Sequence, residues 1–305
     1  MNLPCRLYVQ LTDRIPTQYE GLVREISPEI TLEQTMVGPF WARATLSQMY
    51  PELLNDAEAI RIKRTLESRI RDASAEFALM QKLVDEFIGL FTLFRARSFD
   101  DAIRKYIEAH PSATIVNIGC GLDTTFFRVD NGQILWHDLD LPDAIAIRRK
   151  YVPETPRCKA IPKSVFDLSW FESVDFSKER GIFFLIGGLL YYFKEEEVAA
   201  LVRAMSSRFP GGEMIFDMPS KLGNRIWNRR LRKADTKGVM FSLSLDDAVK
   251  QIAKWDPTLQ VVDEFPMFSR LPHNPKWKRK TLFTMKLSDW LGIIKVIQVK
   301  FPERR

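Results

Sequence analysis

The segment Asn117-Ile118-Gly119-Cys120-Gly121-Leu122-Asp123 ends a short apolar, β-branched run that begins at Ala113 (ATIVNIG). A strand buried in a parallel sheet has that composition. The two glycines beyond it would let a ligand approach the backbone closely, and Asp123 would N-cap a short helix after the turn. A G-x-G turn by itself is weak evidence of a ligand. The following strand ends in Trp136-His137-Asp138-Leu139-Asp140, where a nucleotide-binding α/β unit carries an acid for ribose hydroxyls. One of Asp138 and Asp140 suits that role; either also suits capping the helix that starts at Pro142. About a dozen residues separate Gly121 from that strand, and no third glycine completes G-x-G-x-x-G, which disfavours a dinucleotide with its pyrophosphate. An adenosine ligand without phosphates fits better.

Other chemistries are poorly served. His110, His137 and His273 are isolated and lack paired metal-ligand spacings, so no metal site is expected. The serines and cysteines lie in no nucleophile-elbow motif, which argues against a hydrolase.

Positioning these residues requires alternating strands and helices. Strands are predicted at Gln133–His137, Lys159–Phe166, Gly181–Ile186 and Glu213–Asp217, with helices starting near Pro142, Glu195 and Ser220. That alternation implies a doubly wound parallel sheet. Pro142 suits a first helical position, and Glu195-Glu196-Glu197 suit a helix N-terminus. Ile293–Phe301 alternates like a strand and is expected antiparallel beside the fifth strand, with Val261–Phe265 as its hairpin partner. From Thr35 to about Ile107 apolar residues recur at helical spacing, punctuated by Pro39, Pro51 and Gly89, as in several helices preceding the sheet. The first thirty or so residues read as an irregular arm.

Composition sets the class. A chain of 305 residues with 46% hydrophobic residues, 21 Phe and 7 Trp has ample core material. The net charge of +6 and pI near 9.1 concentrate in Lys221–Lys237 and Arg270–Lys280. Lacking a nucleic-acid motif or dense basic tract, these stretches read as solvated surface, and no nucleic-acid partner is expected. Cys5, Cys120 and Cys158 are too few and scattered for a disulfide framework, so a reducing cytoplasm is expected. The opening residues lack a signal-peptide pattern and no run approaches 18 apolar residues, so neither export nor a membrane partner is expected.

Four ordered motifs, VNIGCGLDT, HDLDLPDAI, SVFDLSW and GGLLYYF, together with the upstream patterns GPFWARA and FRARSFDDAI, resemble the leucine carboxyl methyltransferase family, especially its polyketide O-methyltransferase branch. The resemblance runs from about Thr35 to the C-terminus. It implies a Rossmann-like methyltransferase sheet of seven strands, the last antiparallel. It also implies three regions: an irregular arm (1–34), a helical cap (35–110) and an S-adenosylmethionine-binding domain (111–305). Carried over by motif, Gly119, Cys120 and Gly121 would turn over the methionine part of the cofactor. Arg95, with Arg97 its nearest competitor, would pair with the carboxylate through two charge-assisted hydrogen bonds. Asp138 and Asp140 match the acidic end of the second strand, and Asp167 with Leu168 matches a pair beside the adenine, although Asp167 equally suits an N-cap. Gly187 falls in the cofactor segment where many members carry a glutamate, and Thr125 stands where arginine is frequent. Phe40, Trp41 and Arg43 match the cap over the acceptor, and Tyr192 would face it, a weak candidate for a catalytic role.

The activity so implied is S-adenosylmethionine-dependent O-methylation of a hydroxyl or carboxyl group on a small molecule. Methylation of a protein C-terminal carboxylate and non-catalytic, regulatory cofactor binding are the alternatives. Neither the acceptor nor the oligomeric state is legible.

Overall fold

The computed structural model describes residues 30–70, 86–233 and 240–303. Of the expected irregular arm (1–34), residues 1–29 lie outside them and 30–34 belong to the first helix. Among the described residues three helices precede the sheet: α1 (Ile30–Met49), α2 (Ala57–Ile70) and α3 (Glu86–Ala109). Two residues expected to break helices lie inside them instead, Pro39 in α1 and Gly89 in the first turn of α3. Gly89 is required by packing: a Cβ there would lie 2.6 Å from Leu46 Cγ, so its absence lets α1 and α3 approach closely.

The sheet follows. Strand β1 (Thr114–Ile118) leads into the short helix α4 (Thr125–Val129), then β2 (Leu135–Asp140), α5 (Pro142–Arg148) and β3 (Cys158–Pro162). A 3-10 turn (Leu168–Ser173) precedes β4 (Ile182–Ile186), and another (Leu190–Tyr192) precedes α6 (Glu195–Arg208) and β5 (Glu213–Pro219). Then come α7 (Lys221–Lys233), α8 (Ala248–Trp255), β6 (Gln260–Pro266), α9 (Arg279–Trp290) and β7 (Ile294–Lys300).

The seven strands are ordered β3-β2-β1-β4-β5-β7-β6, with β7 antiparallel to both its neighbours. This is the expected Rossmann-like sheet. Period-two alternation divides the core into two layers. Ile115, Phe183, Leu185 and Ile215 point to the side covered by α3, whose Leu90, Phe94, Phe99 and Ile103 recur at helical spacing. Val116, Phe184, Phe216 and Met218 point to the other side, covered by Val198, Leu201, Val202 and Met205 of α6.

Details depart from the expectations. The third strand stops at Pro162 instead of Phe166, and the second starts at Leu135 and reaches Asp140. β6 and β7 do pair, but no tight hairpin joins them, because α9 is inserted between. Asp123 is not the N-cap residue. The cap position is Thr124, whose side chain makes no capping bond, and the Asp123 carboxylate accepts the Thr125 N–H at 3.0 Å from one residue earlier.

Candidate functional site

The C-terminal ends of the parallel strands form a crevice edge, the place where open α/β sheets bind ligands. β1 opens into Gly119–Gly121, with φ of +69° at Gly119 and +45° at Gly121. Other L-residues resist such values. The turn is pinned to β2 by Gly119 N–H donating to the Leu139 carbonyl (2.8 Å) and Gly121 N–H donating to Asp140 Oδ2 (2.8 Å). Asp140 Oδ1 accepts the Leu141 N–H at 2.8 Å. Both oxygens therefore keep a lone pair for a ligand. Asp140 is half-buried, and burial raises its pKa above the ordinary carboxylate value.

The structure thus separates the two aspartates that sequence left open. Asp138 is buried and already engaged: Oδ2 accepts from Arg148 Nε (3.0 Å) and Nη2 (2.7 Å), and Oδ1 accepts from Trp136 Nε1 (2.9 Å) and Asn117 Nδ2 (3.2 Å). Arg148 Nη1 also donates to the carbonyls of Gly121 (3.0 Å) and Asp123 (2.6 Å). One buried guanidinium therefore clamps the glycine turn to β2. Cys120 is buried beside it, and burial raises its thiol pKa well above the ordinary value.

Arg95 reaches the same edge from α3. Its Nη1 lies 3.3 Å from Asp217 Oδ2 at the end of β5, its guanidinium stands 5.4 Å above the Phe91 ring, and a Cβ on Gly188 would meet Nη1 at 2.7 Å. Asp217 is buried, and its Oδ1 accepts the Gly188 N–H at 2.6 Å. A Cβ on Gly119 would lie 2.9 Å from Leu189, which ties the two turns together. Arg97 faces elsewhere, pairing with Asp101 (2.8 Å) and donating to the Leu53 carbonyl (3.4 Å). Gly187 lies beside Phe99 and the Arg95 Nε, and has no positive φ.

Tyr192 sits in the turn after β4, its ring 4.8 Å from Tyr191 and 5.2 Å from Phe241. Burial pushes its phenol up to about 12. Phe241 also approaches Trp227 at 6.2 Å, and Trp227 approaches Phe91 at 6.1 Å, so an aromatic wall runs beside Arg95.

Phe40 and Trp41 are buried against Leu122, Ala144, Ile147 and Tyr151. Arg43, also buried, donates to the Leu122 carbonyl at 3.1 Å and pairs with Asp56 at 3.0 Å and Asp123 at 3.6 Å. Burial would raise the Asp123 pKa, but Arg43 and Arg128 outweigh it and hold the carboxyl at about 2. Arg128 joins the same cluster through Asp56 (2.6 Å) and Asp100 (2.7 Å) and donates to Thr125 Oγ1 at 2.8 Å. Asp167 is the N-cap of the 3-10 turn, accepting from the Ser169 hydroxyl (2.7 Å) and N–H (3.1 Å), and Leu168 beside it is exposed.

Sequence reading missed Asp217, Arg148 and the cluster of Arg128, Asp56 and Asp100. Among these only Asp217 carried a signal, as an acid in the otherwise apolar strand EMIFDMP. Among the described residues no group of His, Cys, Asp and Glu is placed to hold a metal ion.

Residues 37–206 match the sequence model of a family described as leucine carboxyl methyltransferase. The tetracenomycin polyketide synthesis O-methyltransferase TcmP of Streptomyces glaucescens is 28% identical over 190 residues, 61% of this chain and 65% of that relative's length. In structure, a DUF574-family protein from Streptomyces avermitilis superposes with a TM-score of 0.55 at 12% identity, over 76% of this chain and 90% of that one, which shows the shared fold alone.

Proposed function

This chain belongs to the leucine carboxyl methyltransferase family, and from that premise we propose that it is an S-adenosylmethionine-dependent methyltransferase acting on a hydroxyl or carboxyl oxygen of a small molecule. The observation that carries the reading is the meeting of three features at one strand edge. A glycine turn leaves the backbone uncovered, Asp140 retains free lone pairs, and Arg95 presents a charged fork beside Gly188. The printed name of the S. glaucescens relative, an O-methyltransferase, supports oxygen as the acceptor.

The residues fit the cofactor part by part. Gly119–Gly121 would pass beneath the methionine chain, with Cys120 contributing backbone. Arg95 would take the carboxylate, Asp140 the ribose hydroxyls, and Asp167 with Leu168 the adenine. Gly187 would leave room beside the methionine chain. Asp138 acts one step back, by fixing Arg148. When bound, S-adenosylmethionine supplies a methyl carbon made electrophilic by its sulfonium. The chain's part is then to bring an oxygen into line and exclude water, from which much of the acceleration can come.

With its phenol near 12, Tyr192 stays protonated at neutral pH and serves as a hydrogen-bond donor to the acceptor. Phe40, Trp41 and Arg43 of the helical cap shape the acceptor side indirectly, by holding Leu122 and Asp123 in place.

Calorimetry with S-adenosylmethionine and S-adenosylhomocysteine tests the cofactor, with micromolar-range constants expected. Absence of heat at about 1 mM ligand, where binding is worth only about 4 kcal/mol, would sink the assignment. Transfer of a deuterated methyl group to an oxygen acceptor in a metabolite extract, read by mass spectrometry, tests the reaction.

A further inference from the structure

Two basic helical segments that overlap the stretches noted in the sequence are joined through the turn before β7. α7 starts against Ile293, which lies between α9 and β7: Ser220 N–H donates to the Ile293 carbonyl at 3.1 Å, and a Cβ on Gly223 would lie 1.9 Å from that same oxygen. Residues 221–233 and 276–291 contain eleven Lys and Arg against a single acid, Asp289. The whole chain nets only +6, so everything outside these two segments is net acidic. Asp246, 3.6 Å from the Lys221 Nζ, stands at the margin.

Both segments also expose large apolar side chains. α9 buries Thr281, Met285 and Ser288. At 100° per residue the opposite face carries Phe283, Leu287 and Trp290, and Leu291 follows just past the helix end, all exposed, with Phe283 at 66% and Trp290 at 81%. Arg279, Lys280 and Lys286 flank that stripe. On α7, exposed Leu222 and Ile226 lie one turn apart, with Arg225 and Arg229 beside them. A helix lying on a globular protein ordinarily turns polar residues outward.

We propose that this face docks on the surface of an anionic lipid bilayer. Three observations choose that occupant. The basic charge opposes a two-fold contact with a second copy, which would set each basic face against its equal. Four aliphatic side chains within the stripes have no role against phosphate, which argues against nucleic acid. Phe283 and Trp290 project from a convex helix instead of lining a groove, and an interfacial layer receives projecting aromatic rings among Lys and Arg. The expectation that no membrane is involved rested on the lack of a spanning segment. Indeed, no helix among the described residues is long and apolar enough to cross a membrane, but lying on a surface needs none. The inference is independent of the proposed methyl transfer.

Flotation of the full chain with vesicles tests it. Vesicles of about 30% phosphatidylserine in phosphatidylcholine should capture the protein, and pure phosphatidylcholine should not. Phe283→Ser with Trp290→Ser should abolish capture with the thermal midpoint unchanged, both side chains being exposed. Lys280→Glu with Lys286→Glu should weaken it by more than tenfold, at about fivefold per basic residue lost. No capture at about 1 mM lipid, equal capture of the Ser variant, retention on RNA that the Ser variant also loses, or a dimer that this variant dissolves would each overturn the proposal.

Discussion

Arg148→Met probes the clamp between the glycine turn and β2. The substitution keeps an apolar stem of similar length but removes the two bonds to Asp138 and the two to the Gly121 and Asp123 carbonyls. Breaking a buried ion pair by deleting one partner costs about 3–5 kcal/mol. The low end applies, because Asp138 retains Trp136 Nε1 and Asn117 Nδ2 as donors. The two orphaned carbonyls add about 1 kcal/mol between them if water reaches one. A loss of about 4 kcal/mol is then expected, and at about 2 °C per kcal/mol for a chain of this size the melting midpoint falls by roughly 8 °C. Combining Arg148→Met with Asp138→Asn removes the unpaired charge, so the double variant should be more stable than the sum of the single losses by about 2 kcal/mol. Denaturant unfolding of the four proteins gives these values, and calorimetry of S-adenosylhomocysteine at low temperature follows the turn itself. A single variant melting within 2 °C of the parent, or strictly additive losses, would refute the clamp.

Arg95→Ala should weaken S-adenosylhomocysteine binding roughly ten- to a hundredfold and leave adenosine binding nearly unchanged, because only the former carries the carboxylate; Arg97→Ala, its side chain turned to Asp101, should do neither. Equal losses of both ligands for Arg95→Ala would make its role structural. Cofactor affinity should decline in acid, since protonating Asp140 turns one of its acceptor oxygens into a donor and burial raises its pKa. Binding is full above that raised value and lost as pH falls through it, beginning at a higher pH than the ~3.9 of a free aspartate, and Asp140→Asn should flatten the profile between pH 4.5 and 8. Gly121→Val should abolish cofactor binding in a folded protein, as a β-branched residue resists a φ of +45°; retained affinity, with folding checked by circular dichroism, would remove this turn from the site. Cys120 and Cys158 should resist iodoacetamide at pH 8, both being buried with thiols pushed upward by burial, as peptide mapping of the native protein would show.

The parallel strands and the antiparallel β7 were legible because each is carried by local pattern, whereas the strand order comes from the fold. ATIVNIG announces a buried strand, and the alternation of IIKVIQVK marks a two-faced one. The glycine turn was legible for the same reason. Between Asp138 and Asp140, which sequence left open, the structure shows a difference that motif spacing does not report: Arg148 on α5 engages the first and not the second. Pro39 and Gly89 misled because both normally interrupt helices, whereas Gly89 answers to the bulk of Leu46, 43 positions earlier in the numbering. Asp217 escaped notice because its meaning depends on Arg95, 122 positions away, which no periodicity reports. Arg43 was read as part of a cap over an acceptor, and its partners, Asp56 and the Leu122 carbonyl, were not legible. Motif spacing places a residue on an element and is silent about which neighbour satisfies it.

The position of β7 between β5 and β6 bears on how the polypeptide is made. β5 carries Asp217, the partner of Arg95, and its outer edge is completed only by residues 294–300. A nascent chain emerging from the ribosome therefore carries a parallel half-sheet whose last strand shows an unpaired backbone edge until about eighty further residues have followed. Such an edge invites pairing with other chains. Synthesis of this protein should accordingly lean on chaperones through that interval, and a stop codon shortly before residue 294 should yield aggregates instead of a shortened, partly working protein.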